Sequence, residues 1–496
     1  MTLFLEDPDR WNKVYEDASA KQQYDLLIEA IEQLPTNLDE GDQEDFLDLL
    51  IDFQSELRVN NLLDLAFNLI NKLKQFQPQI FQAEFSFFDS LLYPYHLFHH
   101  ELEPLKEPIE RLIAYPFADE GHLFLTLDYL KYYNATDLAV ECSRSIYDSA
   151  RELEEFEDLD ISELAVIVLD NLMEQAHQQL VQGETVDWRK FQTDITPYIF
   201  SDLQEWMEDV RCDLATEIEG DSEFFAEFKR DFLTVIRRLF CAFAQYMAEH
   251  KQVSFIASRG IWEELLQFLD RPGVSHKRLS HPDKYFSMTL KSLAAFISQK
   301  MNLLSLNYLR GAALAWGLPY VYDFLLSKQI ISAKTHQQAI EAATAVKQEI
   351  IKGFSNSLWE YDFVHRWLPP DSIAEETFIT ETQQFVDSIQ QVTPLSEEMG
   401  IYKALEKRIN EYANQVGISL KELEDADDLD DSADQEHMME DLKRIRNIMY
   451  EDRKSYQDDF ESIKRHKPQK SPLQIAAGLE EKKSKSTSKK KKRGFG

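Results

Sequence analysis

Apolar side chains recur every three or four residues along most of this chain, and that rhythm leaves little choice of fold. Phe225, Phe228, Phe232, Val235, Leu239, Phe243 and Tyr246 keep it over about six turns, and Leu62, Leu65, Leu69, Leu73 and Phe76 keep it earlier. Such spacing gathers apolar groups on one stripe of a helix, which must be buried against a neighbour. Runs of strict alternation between turn residues, the mark of half-buried strands, are absent from the sequence. The expected class is all-α. Ser372 with Glu375, and Ser419 with Glu422, have capping-box spacing and predict helix starts.

Up to residue 182 the pattern predicts consecutive helices of roughly 12 to 20 residues, separated at Pro35, Asn60–Asn61, Pro78, Pro104 and Asn134. Short connections force neighbours antiparallel, so stacked helical hairpins are expected. Two segments repeat a plan: a polar turn at Asn60 and Asn134, then Leu65–Ala66 and Leu138–Ala139, then apolar groups at helical steps. Their offset is about twice the ~34-residue tetratricopeptide period. The stretch faintly resembles degenerate tetratricopeptide-type repeats, which implies an α-solenoid. The Trp, Gly and Tyr positions of that family are not matched, and an irregular multi-helix bundle accounts for the same pattern.

Four regions are expected: a repeat-like helical-hairpin domain over 1–182, a second helical domain over 183–392, a charged helical extension over 393–466, and a disordered basic tail over 467–496. The first boundary falls at the turn-rich Gly183 to Pro197. Further breaks are read at Arg271-Pro272-Gly273, Pro369-Pro370 and Thr393-Pro394. Glu422 to Glu436 holds nine acids and no base, which reads as a solvated linker or frayed helix and lacks the glycine and ligand rhythm of a calcium loop. Beyond it Leu442, Met449, Tyr456 and Ile463 keep a seven-residue rhythm, while the complementary seam of Met438 and Ile445 meets Asp452 and Asp459. Half a seam fits a helix laid on the body or on a partner better than a self-associating coiled coil.

Charge divides the chain sharply. From Lys467 to Gly496 ten Lys or Arg face two Glu, a net +8; the whole chain is −36, so residues 1–466 carry −44. With 44% hydrophobic residues, 32 Phe and 20 Tyr, the body has ample material for cores despite that charge. Only 14 Gly are present, which disfavours phosphate-cradling turns, and no Walker loop, dinucleotide fingerprint, nucleophile elbow or HExxH motif occurs. Cys142, Cys212 and Cys241 fit free, mostly buried thiols of a reducing compartment. The N-terminus MTLFLEDPDRW lacks the pattern of a signal peptide. Met301 to Leu326 is the most apolar stretch, but Arg310, Pro319 and Asp323 interrupt it, and it reads as a buried hairpin of helices.

His96, His99, His100 and Glu101 form the densest set of metal-ligand types; on a continuous helix positions 96, 99 and 100 would share a face. Pro94 and the neighbouring Tyr93, Tyr95 and Phe98 point instead to helix-end packing. Glu174 and His177 have the Glu-x-x-His spacing of di-iron bundles, with Asp119/His122 and Asp362/His365 as Asp-bearing counterparts. His281-Pro282-Asp283-Lys284 reproduces the tetrapeptide by which J-domain co-chaperones engage their ATPase. The alternative is a turn with Pro282 at a helix's first position. Arg230, Arg237 and Arg238 read as a salt-bridged face with Glu223, Glu227 and Asp231 nearby.

Lys482, Lys483, Lys485, Lys489, Lys490, Lys491, Lys492 and Arg493 are the expected contact residues for a partner or a polyanion such as nucleic acid, since clustered cations gain affinity by releasing counterions. Contact of the tail with the acidic body, a plain solubility role, and nuclear import through Lys489 to Arg493 in a nucleated cell are the alternatives. Taken together, the residues predict a cytoplasmic, non-enzymatic helical adaptor or scaffold that holds a protein partner on its body and uses no cofactor. The alternatives are a helical metal-dependent enzyme and a co-chaperone acting through His281 to Asp283. Neither the partner nor the oligomeric state follows from these residues.

Overall fold

A computed structural model describes residues 8–35, 40–116, 118, 120–152, 158–199, 202–270, 280–301 and 307–394. Among them run 21 α-helices and no strand, so the chain is all-α. The first group is α1 (Pro8–Glu16), α2 (Ala20–Gln33), α3 (Glu40–Val59), α4 (Leu63–Phe76), α5 (Pro78–Ala83), α6 (Phe85–Asp89) and α7 (Leu92–Phe98). Then follow α8 (Lys106–Ala114), α9 (Glu120–Tyr132), α10 (Thr136–Glu152), α11 (Asp158–Val181), α12 (Trp188–Ile195), α13 (Leu203–Ala215) and α14 (Ser222–Arg230). The last are α15 (Phe232–Tyr246), α16 (Phe255–Leu269), α17 (Pro282–Tyr285), α18 (Leu290–Lys300), α19 (Tyr308–Ser327), α20 (Ala333–Gly353) and α21 (Glu375–Ser388).

The connections are short because five helices end in one way. Asn61, His100, Asn134, Gly183 and Gln329 each take a left-handed backbone, with φ between 54° and 72°. The next residue's N–H then reaches back five positions, as from Leu62 to Leu57 O and from Ala135 to Leu130 O. This satisfies carbonyls that a helix end leaves orphaned and turns the chain in two residues. Neighbouring helices consequently pack on one another: α10 on α11, α19 on α20, and α2 and α3 both on α4.

Two hydrophobic cores result. The smaller gathers Leu27, Phe46, Leu50, Phe53, Leu69, Leu73 and Phe88, and is closed by a distant residue, Trp359. The larger runs from Leu92 to Phe385, with residues from both sides of Gly183. Its centre is α19, buried on every side from Leu309 through Leu325 apart from Arg310. A helix apolar all round belongs inside a protein. No helix among the described residues is long and apolar enough to cross a membrane. The cores are joined at Asn61, whose Oδ1 accepts from Trp359 Nε1 at 2.9 Å and whose Nδ2 donates to Ser388 O at 3.0 Å.

Local detail departs from the sequence reading in three places. The stripe from Phe225 to Tyr246 spans two helices, not one: Asp231 leaves helical geometry (φ −140°, ψ 68°) and its carboxylate caps Thr234 N–H. The apolar rhythm steps across this residue undisturbed, which is why spacing alone hides the break. Within the described part of Met301–Leu326 the chain forms one helix and no hairpin, with Pro319 inside it. Pro319 removes one backbone N–H from the helical ladder, and the helix nevertheless runs on through it inside the core. Ser372 caps nothing: its N–H donates to Asp323 Oδ2, and α21 starts after Ala374. Ser419 and Glu422 lie outside the described residues.

Candidate functional site

The histidine cluster does not converge. The α7 helix stops at Phe98, so His99 and His100 leave its face. His96 Nδ1 stands 2.9 Å from Glu101 Oε2, and the His99 ring packs edge-on against Tyr95. His100 Nδ1 accepts from Arg366 Nη1 at 3.1 Å, and the guanidinium charge lowers the imidazole's pKa. Among the described residues no group of three or more His, Cys, Asp or Glu is placed to hold a metal ion.

The tetrapeptide at His281 is a capped turn. Pro282 opens the four-residue α17, and His281 Nδ1 accepts from Asp283 N–H. The Asp283 carboxylate accepts from Ser332 N–H at 2.7 Å, and the His281 ring stacks on Phe225. Of the arginines, Arg237 binds Asp213 at 2.9 Å and also Asp209, both on α13, while Arg238 reaches Glu227 at 2.6 Å. The face is salt-bridged, with two partners from a neighbouring helix that spacing could not reveal. Arg230 is exposed.

The Glu-x-x-His spacings also part company. Asp362 accepts from Arg366 Nε at 3.0 Å, and His365 Nε2 stands 2.9 Å from Glu381 Oε1. Asp119 lies outside the described residues. Glu174 and His177, by contrast, line a half-open cleft of 370 Å³ between the end of α11, the turn after α15 and the start of α16. That turn, Met247–Lys251, is a single π-helical turn, an arrangement often found at functional sites. It is pinned from behind: Lys251 Nζ donates to Pro369 O at 2.9 Å and Asp371 Oδ1 at 2.7 Å, and Leu368 N–H to Lys251 O. Gln252 then takes φ 58° and reverses the chain.

The π turn delivers Glu249 to the cleft. Its Oε1 is 2.9 Å from His177 Nε2, yet out of line for a hydrogen bond, and among the described residues His177 Nδ1 has no partner either. Both nitrogens are buried, and burial lowers the imidazole's pKa against the opposing pull of the Glu249 carboxylate. Glu174 is spent structurally. Its Oε2 accepts Phe255 N–H at 2.9 Å, capping α16, and its Oε1 accepts Gln178 Nε2 at 3.3 Å. Burial raises the Glu174 pKa. Asn134 closes the far wall, accepting Ser254 N–H at 3.0 Å.

Spacing marked Glu174 and His177; nothing in the sequence signalled Glu249, which depends on the π turn. The candidate tail residues Lys482, Lys483, Lys485 and Lys489 to Arg493 lie outside the described residues, as do Glu422–Glu436 and the heptads from Met438. Compared with protein-family models, with curated proteins and with solved structures, the chain matches none.

Proposed function

We propose that the chain is a non-enzymatic helical adaptor or scaffold of the cytoplasm, whose body holds a protein partner and whose basic tail tethers the assembly to a partner or polyanion. The supporting observation is that several side chains of types suited to chemistry are engaged in holding the fold. His100 accepts from Arg366, Asp283 accepts from Ser332 N–H, and Glu174 caps α16. The charge division adds to this. A body of −44 repels nucleic acid and anionic lipid, so such contact is confined to the +8 tail.

Deleting residues 467–496 and passing the protein over heparin tests the tether. The expected result is loss of salt-sensitive retention with helicity and thermal unfolding unchanged. Retention that survives the deletion refutes the tether.

A metal-dependent helical enzyme is the second reading: Glu174, His177 and Glu249 line one cleft, although they are not placed to hold a metal ion together. Stoichiometric zinc, iron or manganese in the purified protein, lost in a His177→Ala variant, would establish it.

A further inference from the structure

We propose that the cleft between α11, the π turn and α16 binds an organic cation, an alkylammonium or guanidinium group, held by the Glu249 carboxylate beside His177. This goes beyond the tethering role of the tail and does not depend on it.

Charge is the first argument. The lining carries two carboxylates, Glu174 and Glu249, one imidazole, and no lysine or arginine. The nearest cation in sequence, Lys251, is buried and turned away onto Pro369 O and Asp371. The cleft therefore presents net negative charge to a cation, with the Glu249 carboxylate exposed to an arriving ligand.

Hydrogen-bonding capacity is the second. His177 is 5% exposed, and among the described residues neither of its ring nitrogens has an aligned hydrogen bond. A buried polar group left this way is destabilising until a partner supplies the missing hydrogen bond. Glu174 has both oxygens engaged, but Glu249 has only the misaligned imidazole and, at 4.0 Å, the exposed His250. Glu249 thus has acceptor capacity to spare, even with the amides of Gln178, Gln182 and Gln252 in the lining. An ammonium carries three donors and a guanidinium five, with no acceptor on either. A carboxylate or phosphate ligand would bring more acceptors to carboxylates already in place. The volume, 370 Å³, is at the small end of ligand clefts and suits an alkyl chain against Val181, Ala248 and Val253.

The cation can come free, as a polyamine, or on a basic peptide side chain. Calorimetry on the full-length chain at about 150 mM salt, where diffuse attraction to the acidic body is screened, separates the two. One arm titrates spermidine and the other a peptide of residues 482–493. The expected result is saturable binding of one equivalent in at least one arm, weakened about tenfold by Glu249→Gln through loss of a charge-assisted contact. It should be unchanged by Glu205→Gln, an exposed carboxylate on α13. Ala248→Lys, which supplies a tethered ammonium at the half-buried wall, should abolish it. Binding in the spermidine arm identifies a free amine, and binding of the peptide alone identifies a side chain. Saturable binding in neither arm, or equal affinity in the Glu249→Gln variant, overturns the proposal. Heparin retention reads only the tail, so failure of one idea leaves the other standing.

Discussion

Arg58 on α3 and Glu360, 302 positions apart, meet in a two-pronged ion pair: Nη2 to Oε2 at 2.6 Å and Nε to Oε1 at 3.2 Å. The guanidinium also approaches the Tyr129 hydroxyl, which shares a hydrogen bond with Tyr308. The smaller core is thereby bolted to the larger one by a charge pair beside the Asn61–Trp359 bond.

Breaking this pair from one side should cost more than removing it whole. Arg58→Ala strands a carboxylate whose side chain is 10% exposed, and the expected loss is about 3 kcal/mol. Arg58→Lys should recover little, because an ammonium cannot make the forked contact. Arg58→Met with Glu360→Leu should unfold at higher urea than Arg58→Ala alone. A double variant weaker than the single one would mean that the pair stabilises by its charges and not by their mutual compensation.

The contact of α16 with α19 rests on Gly317. A Cβ there would overlap Ile261 Cγ2 and lie 3.0 Å from Cγ1, a branched side chain with little freedom to yield. Alanine improves helix propensity by about 1 kcal/mol. Overpacking a full core costs about 1–3 kcal/mol and more where the clash is with a β-branched neighbour, so Gly317→Ala should be net destabilising by about 1–2 kcal/mol. Adding Ile261→Val should not restore it, since Cγ2 remains, whereas Ile261→Ala should relieve the overlap. Urea midpoints of the three variants decide this.

The helical class was legible because burial of a stripe imposes a 3.6-residue rhythm whatever the partner helix. The turns at Asn61 and Asn134 were legible too, since a short amide tolerates the left-handed backbone. Gln252 and Gln329 adopt the same backbone without that signature. Pro319 and Asp231 misled in opposite senses. A proline breaks helices locally, yet α19 runs through it; an aspartate is innocuous in a stripe, yet here it ends one helix and caps the next. Glu249 reaches His177 through a π turn that is pinned by contacts of Lys251 with the distant Pro369 and Asp371. Spacing within one segment carries no record of such contacts.

Native thiol labelling should distinguish Cys212 from the other two. Cys212 is exposed on α13, whereas Cys142 and Cys241 are buried. Burial pushes the Cys142 thiol up to about 12 and raises Cys241 further from its ordinary range, which suppresses the reactive thiolate. A disulfide reagent should therefore consume one thiol per native chain quickly and all three in denaturant. Cys212→Ser should remove the fast phase entirely. A fast phase of two thiols would place Cys142 or Cys241 in a part of the body that opens readily.

Glu263 and Glu381 should respond to pH with opposite sign. Burial raises the Glu263 carboxyl from 4.5 to about 7 despite the Arg259 charge nearby. Between those values the native state holds a proton that the unfolded state has lost, so stability falls as pH rises through the window. Burial also acts on Glu381, but the His365 hydrogen bond and the Lys347 and His365 charges outweigh it and lower the carboxyl from 4.5 to about 2. Its contribution is present above 4.5 and is lost as pH falls toward 2. Glu263→Gln should accordingly be more stable than the parent at pH 8, by about 3 kcal/mol, with the difference vanishing below about pH 4.5. Glu381→Gln should be less stable at pH 7, and the two proteins should converge as pH falls from about 4.5 to about 2. Urea midpoints across pH read both: a Glu263→Gln variant that loses stability at pH 8 would mean that this carboxylate is paired and ionised in the native state.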